Sequence, residues 1–254
     1  MKIARISVPN IEGPVFGVVN GTHIGLLKGH PFGELDPAGV ALELDDVKLL
    51  SPVLPSKVIC VGKNYADHAA EMGGDVPAEP VIFIKPNTTV IGDGDAIVLP
   101  SQSQNVHHEA ELAVVISHLC RNVDVERAGE VILGYTCAND VTARDLQERD
   151  GQWTRAKSFD TFCPIGPWIE TDLDTSNLAI SCEVNEEVRQ DGNTKDLVRS
   201  VHEMVAWIST IMTLLPGDVI LTGTPAGVSP IVAGDEVSVT IAGIGTLTNP
   251  VIAR

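Results

Sequence analysis

The length, composition and charge of this chain exclude several classes of protein. With 254 residues and 44% hydrophobic content, it can form one large core and a small appended domain, which excludes a disordered protein. Its formal net charge of -17, from 34 acidic and 17 basic residues, would repel nucleic acid and anionic membranes, so small molecules are the expected partners. The N-terminal sequence has no apolar run of signal-peptide length, and no stretch approaches the ~20 apolar residues that span a bilayer, which predicts a cytoplasmic protein.

Short strands dominate the first predicted elements. Residues 1–50 read as a few strands and turns, and the prolines of LLSPVLPSK, 49–57, place a boundary between a small N-terminal domain, 1–50, and a larger domain, 51–254. The segment NYADHAAEMGGDVPAEP, 64–80, predicts a short helix up to Met72 that is broken at Gly73. Such a helix beside a glycine hinge is either a lid over a ligand site or an ordinary surface helix.

From Val58 onward, apolar runs of strand length alternate with turn residues. The runs include VIFIK, ELAVVI, VILGYTCAND, LAISCEVN, DVILTGTP and EVSVTIAGIGTL. Helices are predicted at 123–133 and at 197–215, where apolar residues recur at steps of three and four before Pro216. The predicted fold class is therefore mainly β with few helices, an α+β arrangement.

Two glutamates open the apolar run HHEAELAVVI, 107–116. Because alternate residues of a strand share a face, Glu109 and Glu111 stand side by side as the strand enters the core, where their carboxylates repel each other. Either they lie on a solvated edge or a cation lies between them, and oxygen ligands favour Mg²⁺, Mn²⁺ or Ca²⁺ over zinc. Asp140, at the end of VILGYTCAN, adds a third carboxylate unless it only caps a helix.

Five motifs occur in a fixed order after residue 57. They are VGKNYADHAAEM (61–72), FIKP (83–86), HHEAELAVVI, the stretch from GYTCANDVTARDLQ to WTRAKSFDTFCPIGPW (134–168), and LLPGDVILTGTPAGV (214–228). This ordered set resembles the fumarylacetoacetate hydrolase (FAH) family in its prokaryotic short form. The chain departs from many relatives in carrying Lys63 in place of arginine, which keeps the charge but loses a bidentate fork. It also lacks the long N-terminal domain of the animal fumarylacetoacetases.

The resemblance implies a β-roll catalytic domain, a homodimer and a bound Mg²⁺ or Mn²⁺. Its implied substrates are small 2-oxo acids with a pyruvoyl end. The family's metal ligands match Glu109, Glu111 and Asp140, and its lid dyad matches His68 and Glu71. The implied substrate contacts match Lys85, Arg144, Gln147, Lys157 and Thr224.

Three reactions fit one such site. Cleaving the C3–C4 bond of an acylpyruvate, a 2,4-diketo acid, leaves pyruvate enolate, whose charge a metal and a catalytic Lys157 would stabilise. In this hydrolysis His68, polarised by Glu71, would take a proton from the attacking water. Oxaloacetate decarboxylation forms the same enolate without water. Isomerisation or decarboxylation of 2-hydroxyhepta-2,4-diene-1,7-dioate, as in aromatic catabolism, is the third reaction, and acylpyruvate hydrolysis ranks first.

Other classes of protein have weaker support in the sequence. A binding module could use the carboxylates for a structural Ca²⁺, although Lys157 suits an anionic ligand better. A serine hydrolase lacks its nucleophile elbow, since GVSPI at 227–231 does not complete G-x-S-x-G, and GDGDAI at 92–97 is not a dinucleotide fingerprint. A catalytic thiol at Cys137 or Cys163 is a further alternative, but the widely spaced cysteines without a C-x-x-C pair predict reduced packing residues.

Overall fold

The computed structural model describes residues 1–9 and 11–254, a mainly β structure with four short α-helices in that part of the chain. The predicted fold class, mainly β with few helices, is confirmed. The first five strands are β1 (Lys2–Ser7), β2 (Val15–Asn20), β3 (His23–Leu27), β4 (Pro37–Glu43) and β5 (Lys48–Leu50). Buried aliphatic side chains of β1 and β3, Ile6 and Ile24 among them, give this N-terminal region a small core of its own.

Fourteen further strands and the four helices follow within the described residues. In chain order they are β6 (Val58–Gly62), α1 (Ala66–Glu71), β7 (Val81–Lys85), β8 (Val90–Ile91), β9 (Ile97–Leu99), β10 (Val106–His107), β11 (Ala110–Ile116), β12 (Ile132–Asn139), β13 (Thr142–Ala143), α2 (Arg144–Asp150), α3 (Thr154–Lys157), β14 (Cys163–Glu170), β15 (Ala179–Val184), β16 (Glu187–Asn193), α4 (Val201–Ile211), β17 (Val219–Leu221), β18 (Glu236–Ile241) and β19 (Gly245–Ala253).

Two sheets form the body of the molecule. The larger sheet has the order β4-β3-β2-β1-β14-β12-β11-β17-β6-β7, with β5 beside β1 and β8 beside β14. The second sheet has the order β16-β15-β18-β19-β9. Leu112 and Val114 of β11 share a buried cluster with Ile180 of β15 and Val239 of β18, so the main core lies between the two sheets. All seven residues of β11 are buried, which explains why its sequence is apolar on both faces.

The N-terminal strands continue the larger sheet. β1 pairs antiparallel with β14, with Lys2 opposite Glu170 and Ile3 opposite Ile169. The proline-containing segment 51–57, where the sequence predicts a domain boundary, lies between β5 and β6. Backbone hydrogen bonds therefore join the two predicted domains across one shared sheet.

Helix α4 is shorter than the predicted helix at 197–215. It begins after Ser200, whose side chain and Glu203 form a capping box that satisfies the first free amides. The preceding Val198 N–H donates to the Asn64 carbonyl, which holds that residue in an extended connection. At the other end Leu214 pairs with Cys120 in a β-bridge. Backbone contacts with distant residues thus make the helix shorter at both ends than its apolar periodicity predicts.

The helix predicted at 123–133 is also wrong in type and length. Residues Val125–Val131 form a 3₁₀ helix, and Ile132 already begins β12 opposite Ile116. In contrast, α1 confirms the short helix predicted up to Met72, and Gly73 follows in the left-handed conformation with φ +72°. No helix in the described part of the chain is long and apolar enough to cross a membrane.

Candidate active site

The pairing of two buried strands assembles three carboxylates. β11 and β12 run antiparallel with Ala110 opposite Asn139, so the start of β11 lies beside the end of β12. Glu109 and Glu111 stand at that start, and Asp140 directly follows the end of β12. One carboxylate oxygen from each of the three lies within 4.8 Å of the others. All three side chains are buried, so the solvated-edge alternative for Glu109 and Glu111 is wrong.

Glu111 is the member of this triad whose negative charge is least compensated. Burial and the neighbouring carboxylates of Asp140 and Glu109 raise its pKa well above the ordinary value. Its Oε2 accepts a hydrogen bond from the Gly223 amide, and no ion pair to Glu111 occurs among the described residues. A buried carboxylate in this position is stabilised by a cation placed among the three oxygen donors.

Glu109 has the opposite electrostatic environment. Burial alone would raise its pKa, but the positive charges of Lys157 and Arg144 outweigh burial and lower the pKa far below its usual range. Lys157, the last residue of α3, donates to Glu109 Oε2 at 2.8 Å and to Asp140 Oδ2 at 2.7 Å. Burial would lower the pKa of Lys157, but Asp140 and Glu109 raise it, so the ammonium stays charged.

Lys85 lies behind the triad and does not line the cavity. Its side chain is fully buried, and Nζ donates to Asp140 Oδ1 and to the Val141 carbonyl. This ammonium compensates the charge of Asp140 without lining the cavity. These contacts hold the Asp140 carboxylate and the Val141 carbonyl, and the substrate contact expected of Lys85 stays a prediction. We assign Lys85 to the orientation of Asp140.

Helix α1 holds a histidine and a glutamate in mutual contact. His68 Nδ1 lies 3.1 Å from Glu71 Oε2, as the spacing of one helical turn predicts. Glu71 Oε1 accepts a hydrogen bond of 3.0 Å from the Gly227 amide. His68 is 6% exposed and lines the cavity, whereas Glu71 is exposed and does not line it. The pair is thus anchored to the segment 223–229, called here the 223–229 loop.

Replacing Gly227 by alanine should detach this anchor. Gly227 has φ +101°, and a Cβ there would lie 2.2 Å from the Arg189 carbonyl oxygen, so the loop backbone must move. We expect about 2 kcal/mol of lost stability and a fall in turnover of about tenfold or more, because the Glu71 contact is lost. Thermal unfolding and steady-state rates measure both.

Gly234→Ala is the matched control, because Gly234 has φ +99° but open space around its Cβ position. This variant should lose stability, because alanine is strained at a positive φ, but it should keep its turnover. Equal loss of turnover in both variants would contradict the anchoring role of the 223–229 loop.

One cavity of about 210 Å³ brings most of the predicted residues together. Of the ten predicted site residues, eight line it: His68, Glu109, Glu111, Asp140, Arg144, Gln147, Lys157 and Thr224. Arg144 donates to Glu109 Oε1 and, at 2.7 Å, to Gln147 Oε1. Lys63 also lines the cavity.

The apolar wall of the cavity was not predicted as part of the site. Phe83 and Trp153 form an edge-to-face pair with ring centroids 5.3 Å apart, and Lys157 Nζ lies 5.0 Å from the centre of the Phe83 ring. Val61, Gly62, Met72 and the exposed Glu148 complete the lining. Phe83 and Trp153 lie inside the motifs FIKP and WTRAKSFDTFCPIGPW. Their position in the sequence near Lys85 and Lys157 is the signal that could have identified them as part of the site.

The five cysteines are free and buried, as predicted. Burial raises the pKa of Cys137 and Cys163 to about 12, so neither forms an appreciable thiolate near neutral pH. Neither lines the cavity. These properties oppose the alternative of a catalytic thiol.

Comparison with known proteins identifies two matching families and relatives of full length. The family described as "Fumarylacetoacetate (FAA) hydrolase C-terminal" matches residues 57–252, and "Rv2993c-like, N-terminal" matches residues 1–52. "Protein Rv2993c" of Mycobacterium tuberculosis is 53% identical, over 100% of this chain and 99% of its own length. "Oxaloacetate tautomerase FAHD2A, mitochondrial" of Homo sapiens is 38% identical, over 99% of this chain and 92% of its own.

Two solved structures share the fold over the whole chain. A 5-carboxymethyl-2-hydroxymuconate delta-isomerase from Mycobacterium smegmatis is 52% identical with a TM-score of 0.94, and 100% of each chain is covered. A maleylpyruvate hydrolase from Sphingobium sp. SYK-6, in complex with manganese(II) ion and pyruvate, is 32% identical with a TM-score of 0.83, over 100% of this chain and 99% of its own. The resemblance first indicated by five motifs therefore extends over the complete fold, and the chain belongs to the fumarylacetoacetate hydrolase family of enzymes.

Proposed function

We propose that this protein is a divalent-metal-dependent enzyme that moves a proton at C3 of a 2-oxo acid and so interconverts its keto and enol forms. One observation carries the proposal: the carboxylate triad, Lys157 and His68, which contacts Glu71, line a single cavity. The activities named for the isomerase and the tautomerase relatives support proton transfer. We therefore rank proton transfer above acylpyruvate hydrolysis, the reaction that ranks first from the sequence.

The donor set fits a hard cation. Three buried carboxylates offer only oxygen ligands, and burial together with the charges of Asp140 and Glu109 raises the pKa of Glu111. Mg²⁺ or Mn²⁺ is the proposed ion, held by Glu109, Glu111 and Asp140. When bound, it would supply Lewis-acid polarisation of the substrate's 2-oxo group.

The substrate carboxylate has a matching donor in Arg144. Its guanidinium is 4% exposed, and two of its nitrogens donate to Glu109 and Gln147. Nε is buried and has no hydrogen-bond partner among residues 1–9 and 11–254. Because a buried unpaired donor of a charged group costs free energy, an acceptor that belongs to a ligand is expected there. An anionic 2-oxo acid supplies this acceptor and compensates the local positive charge.

The chain's own residues divide the chemistry between two sides of the substrate. The charged Lys157, fixed by two carboxylates, stabilises the negative charge that develops on the C2 oxygen during enolisation. His68 moves the proton at C3. Its Nδ1 is held by Glu71, so a proton on that atom leaves Nε2 as the base. The Phe83 and Trp153 wall excludes water and strengthens these electrostatic interactions.

Acylpyruvate hydrolysis is the second candidate, favoured by the relative described with manganese and pyruvate. It uses the same residues, with His68 activating a water for attack at C4. The two reactions differ in products, so one assay separates them. EDTA-stripped protein is mixed with oxaloacetate enol or with acetylpyruvate, and enol absorbance is followed with and without added Mg²⁺ or Mn²⁺.

Metal-dependent ketonisation of oxaloacetate above the solution rate, without release of CO₂, would support the tautomerase proposal. Release of acetate from acetylpyruvate would support hydrolysis, and release of CO₂ from oxaloacetate would support decarboxylation. Absence of all three, in protein that binds Mn²⁺, would overturn the proposal for these substrates and favour longer unsaturated diacids.

His68→Ala should remove proton transfer without removing the metal. We expect turnover to fall by about 10²–10⁴, the usual contribution of a positioned acid-base group, and Mn²⁺ affinity to change by less than about twofold. Rates and calorimetric Mn²⁺ titration test the two statements. Glu71→Gln is the graded companion and should retain more activity than His68→Ala. Unchanged turnover in His68→Ala would remove the dyad from the mechanism.

A further inference from the structure

The 223–229 loop connects three parts of the site. The Gly223 amide donates to Glu111 Oε2, the Thr224 side chain lines the cavity, and the Gly227 amide donates to Glu71 Oε1. The loop is held from outside by the fully buried side chain of Gln190 on β16, which sequence reasoning gave no role. The orientation of Gln190 therefore bears on the direction in which Thr224 presents its hydroxyl group.

The partners of Gln190 fix which end of its amide is oxygen. Oε1 lies 2.9 Å from the Ala110 backbone nitrogen, which can only donate. Nε2 lies 2.8 Å from the Pro225 carbonyl oxygen, which can only accept. If the two ends were exchanged, Nε2 would face the Ala110 N–H, donor against donor, and Oε1 would face the Pro225 carbonyl, acceptor against acceptor. The positions of Oε1 and Nε2 are therefore unambiguous.

This fixed amide determines the polarity of the hydrogen bond to Thr224. Gln190 Nε2 donates to Thr224 Oγ1 at 2.7 Å, so Thr224 is the acceptor in this contact. In the described part of the chain, the Thr224 hydroxyl donates no hydrogen bond of its own. Its proton is therefore not engaged by the described residues, and Thr224 itself lines the cavity.

His108 completes the arrangement. It is fully buried one residue before Glu109, and its Nδ1 lies 3.0 Å from Gln190 Oε1. Since Oε1 can only accept, Nδ1 is the protonated nitrogen in this contact. Its Nε2 lies 2.9 Å from Ser229 Oγ, at the end of the 223–229 loop. Two donors, Ala110 and His108, thus hold Gln190 Oε1 in place.

We propose that His108 and Gln190 are positioning residues that orient the Thr224 hydroxyl as a donor to the substrate carboxylate. The inference rests on the proposed function, because it takes an anionic 2-oxo acid as the ligand. Neither residue lines the cavity. Gln190 donates to the Thr224 oxygen, and His108 holds Gln190 in place. The Thr224 proton is thereby directed into the cavity before the ligand binds, so that binding costs no further rotational freedom of the hydroxyl.

A double-mutant cycle tests this polarity through ligand binding. The probe is oxalate, a planar dianion that resembles the enolate of pyruvate, titrated by calorimetry into Mn²⁺-loaded protein. His108→Leu removes the donor to Gln190 and is measured with threonine or valine at position 224. His108→Asn is the conservative variant, because its amide nitrogen can replace Nδ1 as the donor.

With Thr224 present, we expect His108→Leu to weaken oxalate binding about fivefold, because Gln190 Oε1 loses one of its two donors and the amide becomes less firmly aligned with Thr224. In the Thr224→Val background the same change should cost less than about twofold, and His108→Asn should restore most of the affinity. Equal losses in both backgrounds would overturn the proposal, because a merely structural effect does not depend on the Thr224 hydroxyl.

Gln190→Glu gives an independent second test, which is decisive if His108→Leu does not fold. The carboxylate keeps the two contacts of Oε1 but presents an acceptor to Thr224, so the hydroxyl proton turns away from the cavity. Its loss of oxalate affinity should be greater with Thr224 present than in the Thr224→Val background. An equal loss would contradict the proposal. Failure of the unsubstituted protein to bind oxalate would instead contradict the proposed function.

Discussion

Glu111→Gln is expected to remove metal binding and turnover while making the metal-free protein more stable. The amide keeps the size of the side chain and an oxygen for the Gly223 amide. It removes one of three anionic ligands, so Mn²⁺ affinity should fall by about 100-fold or more and activity should fall with it. It also removes the charge that burial, Asp140 and Glu109 disfavour.

The expected gain in the metal-free state is about 1–2 kcal/mol, which for a domain of this size raises the melting temperature by about 2–8 °C. Thermal unfolding in EDTA and with Mn²⁺ measures both effects. Glu148→Gln, at the cavity mouth, is the control for the chemical change and should leave Mn²⁺ affinity within about twofold. A destabilised metal-free Glu111→Gln protein would contradict the account of charge repulsion.

The pH profile of the same pair of proteins gives a second check. A carboxyl with a raised folded pKa binds a proton more readily in the folded state than in the unfolded state. Glu111 therefore adds stability to the metal-free protein as the pH falls toward the ordinary value of 4.5, and this contribution is lost as the pH rises through the folded pKa. The stability advantage of Glu111→Gln should grow as the pH rises from the ordinary value of 4.5 toward the raised folded pKa.

Lys157→Met is expected to give the opposite combination of effects. The ammonium bridges Glu109 and Asp140, so its removal leaves two buried carboxylates with less compensation and costs about 3 kcal/mol in the metal-free protein. Because a competing cation is removed, Mn²⁺ affinity should be unchanged or higher. Turnover should fall by about 10²–10³, the usual cost of removing one donor that stabilises developing negative charge.

Lys57→Met is the matched control for the loss of a buried ion pair. Lys57 pairs with the fully buried Asp218, and neither lines the cavity. This variant should lose stability without a change in turnover or Mn²⁺ affinity. Loss of Mn²⁺ binding in Lys157→Met would show that the lysine organises the triad, contrary to a role at the C2 oxygen.

The prediction of the site residues rests on local spacing and on motif order. Glu109 and Glu111 share a strand face, and His68 and Glu71 share a helical turn, so each pair is defined within one element. The sequence gave no indication that Lys85 pairs with Asp140, because 55 residues separate the two and only the fold turns Nζ onto that carboxylate. It gave no role to Gln190, which lies on a β16 whose sequence carries no motif of the site.

The sequence by itself determined the mainly β fold class, the family, the two carboxylates of one strand and the histidine-glutamate pair of one helix. These features depend on contacts between near neighbours, which spacing alone defines. Only the tertiary structure decided which charges compensate one another, where α4 begins and ends, and how Gln190 orients Thr224. These outcomes depend on backbone groups and buried partners tens of residues apart, whose hydrogen bonds and charges acquire their strength only when the fold removes them from water.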